Sequence, residues 1–151
     1  DFGKEPARRR GACRIPLAAA ISPVFAAGKR RGSMKIVLKG VPPSLNQFAG
    51  RKNTWEYRAA KKQWSDAVYI TCMAQRPYET LERAMVRIDY YFPDRRRHDA
   101  DNYSGKFLHD GLTRAKVIQD DDFAHLCTAA HGHVDRENPR TEITVVRMVP
   151  E

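Results

Sequence analysis

Val86, Ile88, Tyr90 and Phe92 alternate with Arg87, Asp89 and Tyr91, and Pro93 ends the run. A period of two puts one set of side chains on each face, so this segment predicts a strand with one buried side. A charged loop follows. Beyond it, Tyr103–Arg114 reads as a helix, with Phe107, Leu108, Leu112 and the adjoining Ala115 on one side. A half-buried strand feeding an amphipathic helix must bury both apolar surfaces against each other, which restricts the chain to helix-on-sheet layering.

The flanking segments extend this unit. Ile36, Val37 and Leu38 predict a short strand that stops at Gly40 and Pro42-Pro43. Thr54 is placed to cap a helix beginning at Trp55, where Tyr57, Ala60, Trp64, Ala67, Val68 and Thr71 recur at spacings of three and four. Two further strands are expected near Phe123–Val134 and Thr141–Val149, joined by the turn-rich Asp135–Arg140. The order β-α-β-α-β-β predicts an α+β domain, two helices packed on one face of a small mixed sheet.

The formal net charge of +9 invites a nucleic-acid reading, but its distribution weakens it. Residues 1–33 hold eight Lys/Arg against two acids, leaving 19 basic and 16 acidic residues for 34–151. Residues 1–33 also differ in character, with Arg8–Arg10, a Pro-interrupted apolar stretch Ile15–Ala27 and a second basic cluster at Lys29–Arg31. That outline resembles a secretory leader, but Pro16 and Pro23 break it. We expect an upstream extension, poorly ordered, with the native start at Met34 and a domain spanning 34–151. Cys13, Cys72 and Cys127 show no metal-binding spacing and predict reduced thiols, consistent with a cytoplasmic protein and no membrane span.

Chemistry concentrates in Asp94-Arg95-Arg96-Arg97-His98-Asp99-Ala100-Asp101-Asn102 and in Asp120-Asp121-Asp122. Asp99 and Asp101 point the same way if the chain stays extended there. The intervening helix of about 12 residues, ~18 Å long, can return Asp121 toward that pair. Gathered carboxylates repel one another unless a cation sits among them, and hard oxygen donors suit Mg²⁺ completed by phosphate oxygens. Such a site activates water for attack on a phosphodiester. Arg95, Arg96 and Arg97 supply the charge that lets a polyanion approach. Lys106, at the helix start, is placed to meet the reacting phosphate, and Asp120 is a reserve ligand. Each acidic cluster alone is also readable as an N-cap or a plain turn. Phe48, Arg51 and Lys52 in the early loop are candidates for DNA contact. His131 and His133 are read as an ordinary strand face. Trp55, Tyr57 and Trp64 are read as core or dimer-interface aromatics.

The runs PDRRRHDADN, KFLHDGLTRA, VIQDDD and VPPSLNQ, over roughly Met34 to Val149, resemble the RusA family of Holliday junction resolvases. The resemblance implies a small dimeric α/β nuclease that makes paired, symmetrical, Mg²⁺-dependent nicks in four-way DNA junctions during recombination and repair. It places the essential carboxylates on Asp99, Asp101 and Asp121 and the essential lysine on Lys106. One departure stands out: Lys106 is five residues beyond Asp101, where the family's spacing is four, so Gly105 occupies the expected lysine position. The competing readings are a nuclease for other branched DNA and a non-catalytic branched-DNA-binding protein on the same scaffold.

Overall fold

The computed structural model describes residues 33–50 and 54–148. The expectations for the N-terminal extension, and for Arg51 and Lys52, lie outside those residues. The described chain is α+β. Its strands are β1 (Ser33–Lys39), β2 (Ala84–Phe92), β3 (Leu126–Val134) and β4 (Arg140–Arg147), and its helices are α1 (Trp55–Met73) and α2 (Lys106–Arg114). The sheet order is β1-β4-β2-β3, with β2 and β3 parallel and the other pairs antiparallel.

The expected alternation in β2 holds: Ala84, Val86, Ile88, Tyr90 and Phe92 are buried beneath the helices. Ile36 and Leu38 of β1 join Ile143 and Val145 of β4 on that same face, closed by Val68 and Cys72 of α1 and by Leu108 and Leu112 of α2. Each such aliphatic side chain contributes about 1.5–3 kcal/mol when fully removed from water. Burial also pushes the Cys72 thiol up to about 11, so it stays protonated at neutral pH.

The helices approach closely because Gly111 has no side chain. A Cβ there would lie 2.6 Å from Val68 Cβ and 2.9 Å from the Ser65 carbonyl oxygen. Arg114 Nη1 donates to Ser65 Oγ at 2.8 Å and to Asp66 Oδ1 at 2.7 Å, tying the end of α2 to α1. Thr54, expected to cap α1, makes no side-chain cap bond; its carbonyl accepts from the Arg58 amide at 3.0 Å instead.

The sheet's other face is polar, and Asp89 is buried within it. A lone buried carboxylate would cost several kcal/mol. Here Arg87 Nε donates to it at 3.1 Å and His133 Nε2 lies 2.8 Å away. His133 thus serves the strand face, as its sequence position suggested. No helix among the described residues is long and apolar enough to cross a membrane.

Candidate metal and nucleic-acid site

The helix expected over Tyr103–Arg114 is two elements. A 3-10 turn covers Ala100–Tyr103, and α2 begins only at Lys106. Gly105 between them adopts φ +82°, and a Cβ at that position would sit 2.4 Å from Ile88 Cδ1. A left-handed backbone pressed against the core admits glycine and little else. Lys106, the exposed first residue of α2, follows Gly105 directly.

Asp99 is extended (φ −85°, ψ 130°), whereas Asp101 lies inside the 3-10 turn, so continuous extension through both residues does not occur. The Asn102 amide closes that turn onto the Asp99 carbonyl at 3.0 Å. Arg97 Nε donates to Asp99 Oδ1 at 3.0 Å. Arg95, Arg96 and Arg97 are all exposed.

His98 anchors this loop, a role its sequence position did not reveal. Its ring stacks on Phe92 at 3.8 Å and 7°, its Nδ1 lies 3.3 Å from Tyr103 Oη, and its Nε2 lies 3.5 Å from Asp94. The Arg96 amide donates to Asp94 at 3.0 Å and, with His98 and Arg96 nearby, holds that carboxyl below the usual range. Only a ring at position 98 facing a ring at 92 could have announced the stack, and sequence separation alone does not disclose facing.

Pro42, Pro43 and Leu45 line one small pocket together with Asn102, Tyr103, Ser104 and Lys106. The early VPPSLNQ run and the DADNYSGK run, some sixty residues apart in the chain, are therefore neighbours. Thr141 helps set this up: its Oγ1 donates to the Gly40 carbonyl at 2.8 Å, fixing where the proline segment leaves β1. Phe48, a candidate for DNA contact, is half-buried and packs edge-on against Tyr57, which in turn meets Phe107.

After α2 the chain is pinned beside the start of β2. The Leu81 amide donates to the Val117 carbonyl at 2.9 Å and the Gln119 amide to the Leu81 carbonyl at 3.0 Å. Asp120, Asp121 and Asp122 follow, all exposed, and precede β3. The Asp121 amide donates to the Asp120 carboxylate at 2.8 Å.

Asp120, Asp122 and His125 place ligating atoms within 4.8 Å of one another, and Asp99, Asp101 and Asp121 are not members of that group. Asp122 and His125 are paired, which lowers the Asp122 pKa and raises that of His125. Asp121 instead acts on His109 of α2. Burial lowers the His109 pKa, and the charges of Asp121 and Asp110 oppose that shift. His109 Nε2 also lies 3.2 Å from Thr128 Oγ1 of β3. The expected gathering of Asp99, Asp101 and Asp121 is therefore not seen: among the described residues the group of ligating atoms within 4.8 Å is Asp120, Asp122 and His125, whose nitrogen makes it a mixed donor set.

Compared with protein-family models and with characterised proteins, this chain matches none of either.

Proposed function

We propose that this protein is a Mg²⁺-dependent endonuclease that resolves four-way DNA junctions, a member of the RusA family acting as a homodimer. The observation that carries the reading is the convergence of Pro42, Pro43 and Leu45 with Asn102–Lys106 around one pocket. Two of the four sequence runs that resemble the family meet there, although nothing in their spacing requires it.

Asp99, Asp101 and Asp121 are the ligands in this reading, with Asp120 in reserve. Mg²⁺ bound to carboxylates lowers the pKa of coordinated water and neutralises charge at the leaving oxygen. Lys106, exposed in the first turn of α2, brings its charge to the phosphate from the positive end of the helix. Arg95, Arg96 and Arg97 hold flanking phosphates, for which Arg97 exchanges Asp99 for DNA. That exchange is inexpensive, since an exposed pair contributes only about 0–1 kcal/mol. A junction has two equivalent strands to cut, so a two-fold dimer would deliver paired nicks.

The test is cleavage of an end-labelled synthetic four-way junction, in Mg²⁺ and in EDTA, beside a linear duplex of the same sequence. Paired Mg²⁺-dependent nicks on the junction alone are expected. Equal cutting of the duplex, or nicking that survives EDTA, would overturn the reading.

A further inference from the structure

Phe123 follows Asp122 directly and is completely exposed, at 102%. Its ring has no partner among the described residues, unlike Phe48, Phe92 and Phe107, each of which packs against another ring. The local backbone does not need it. The turn is held by the His125 and Leu126 amides, which donate to the Asp122 carbonyl at 3.1 and 2.9 Å, and by the Asp122 carboxylate, which accepts from His125 at 3.1 Å. Any turn-forming residue would satisfy that geometry. An aromatic ring presented on a hydrogen-bonded turn, two residues from Asp121, is a surface without a use inside the fold.

Its surroundings select the partner. Its chain neighbours Asp120, Asp121, Asp122 and Ala124 are all exposed and offer no large apolar side chain, whereas a protein-binding hot spot is ringed by packed neighbours that exclude water. A nucleobase needs only the ring face, and every base presents a π-face whatever its identity. A branch point in DNA interrupts continuous stacking and leaves base faces uncovered.

We propose that Phe123 is a stacking platform for a base at the branch point, holding the strand beside the acidic site. This rests on the junction-nuclease reading and adds to it a residue outside the metal and phosphate contacts. Because the ring is fully exposed and has no ring partner among the described residues, Phe123→Ala should leave thermal unfolding unchanged, which separates loss of stacking from loss of structure.

The experiment uses the full chain and a four-way junction carrying 2-aminopurine at one branch-point position, with Ca²⁺ replacing Mg²⁺ to hold off cleavage. Wild-type protein should quench the 2-aminopurine fluorescence on binding, as stacking of the base on the ring requires. Phe123→Ala should lose that quenching and bind the junction roughly 5- to 150-fold more weakly, the loss that follows removal of one base–aromatic stack. Phe123→Trp should keep both. An unchanged fluorescence response in Phe123→Ala overturns the proposal whatever the affinity does. If Phe123→Ala instead dissociates a dimer by sedimentation with fluorescence unaltered, the ring covers a second copy of the chain. If wild-type protein fails to bind the junction at all, the nuclease reading falls and takes this proposal with it.

Discussion

Replacing Gly105 by alanine tests whether the start of α2 is fixed by backbone shape and packing together. Two costs add. At φ +82° an L-residue is left-handed, which costs roughly 1–2 kcal/mol. The new Cβ would also lie 2.4 Å from Ile88 Cδ1 and 3.4 Å from the His109 ring, and forcing a methyl into a filled core costs about 1–3 kcal/mol. Against these, alanine narrows the unfolded ensemble and returns only about 0.4–1 kcal/mol. The net destabilisation is therefore about 1–5 kcal/mol, a large part of the roughly 5–15 kcal/mol typical of a domain. The two contributions separate in a double-mutant cycle. Ile88→Val removes the clashing Cδ1 and alone costs about 0.5–1.5 kcal/mol. Urea unfolding of the four proteins should show the double variant more stable than additivity by about 1–3 kcal/mol. An additive cycle would mean that Ile88 does not set the glycine requirement. Gly105→Ala within 0.5 kcal/mol of wild type, about the smallest coupling such cycles resolve, would refute the whole account.

Asp101→Asn should abolish junction cleavage yet bind the junction as tightly or more so, because repulsion toward phosphate falls; nicking at the wild-type rate would remove Asp101 from the site. Asp121→Asn should behave in the same way while His125→Ala still nicks, and the reverse pattern would move the metal to the Asp120, Asp122 and His125 group. His109 is buried with its pKa lowered from 6.5, so the folded state binds its proton more weakly than the unfolded state. Its contribution is complete above pH 6.5 and is lost as pH falls below it. The stability slope of wild type over that acidic range should flatten in His109→Gln, and an unaltered slope would assign it to other groups. Arg114→Ala should cost about 1–2 kcal/mol in thermal or urea unfolding, chiefly by leaving the buried Ser65 hydroxyl unpaired, since exposed ion pairs contribute about 0.2–1 kcal/mol. No measurable change would show that water replaces the guanidinium there.

Period and punctuation made most of this fold readable. The alternation through β2 is a local signal and its buried face fell where that signal put it, whereas in α1 the buried residues are Ser65, Val68 and Cys72, of which the expected stripe held only Val68. The mixed character of the sheet followed from element order. The placement of β4 between β1 and β2 did not, because pairing partners are chosen by contacts remote in sequence. The stretch from Asp99 to Gly105 was the hardest to read. Its polar residues are compatible with an extended loop or a helical first turn, and the outcome depends on Ile88, a strand residue that leaves no room for a side chain at 105. The burial of Ser65 was also hidden, since a serine on a helix signals neither inside nor outside until Gly111 and Arg114 arrive from another element. The acidic runs stood out in the sequence, but the grouping of Asp120 and Asp122 with His125, in place of Asp121 with Asp99 and Asp101, did not.

Asp120 and Asp122 meet at His125, whereas the charge of Asp121 is felt by His109 within α2. The three consecutive aspartates are thus not interchangeable, and a shift of one residue would exchange one environment for the other. The start of α2 is set from the core: Ile88 leaves no room for a side chain at Gly105, and the helix begins immediately beyond it with the exposed Lys106.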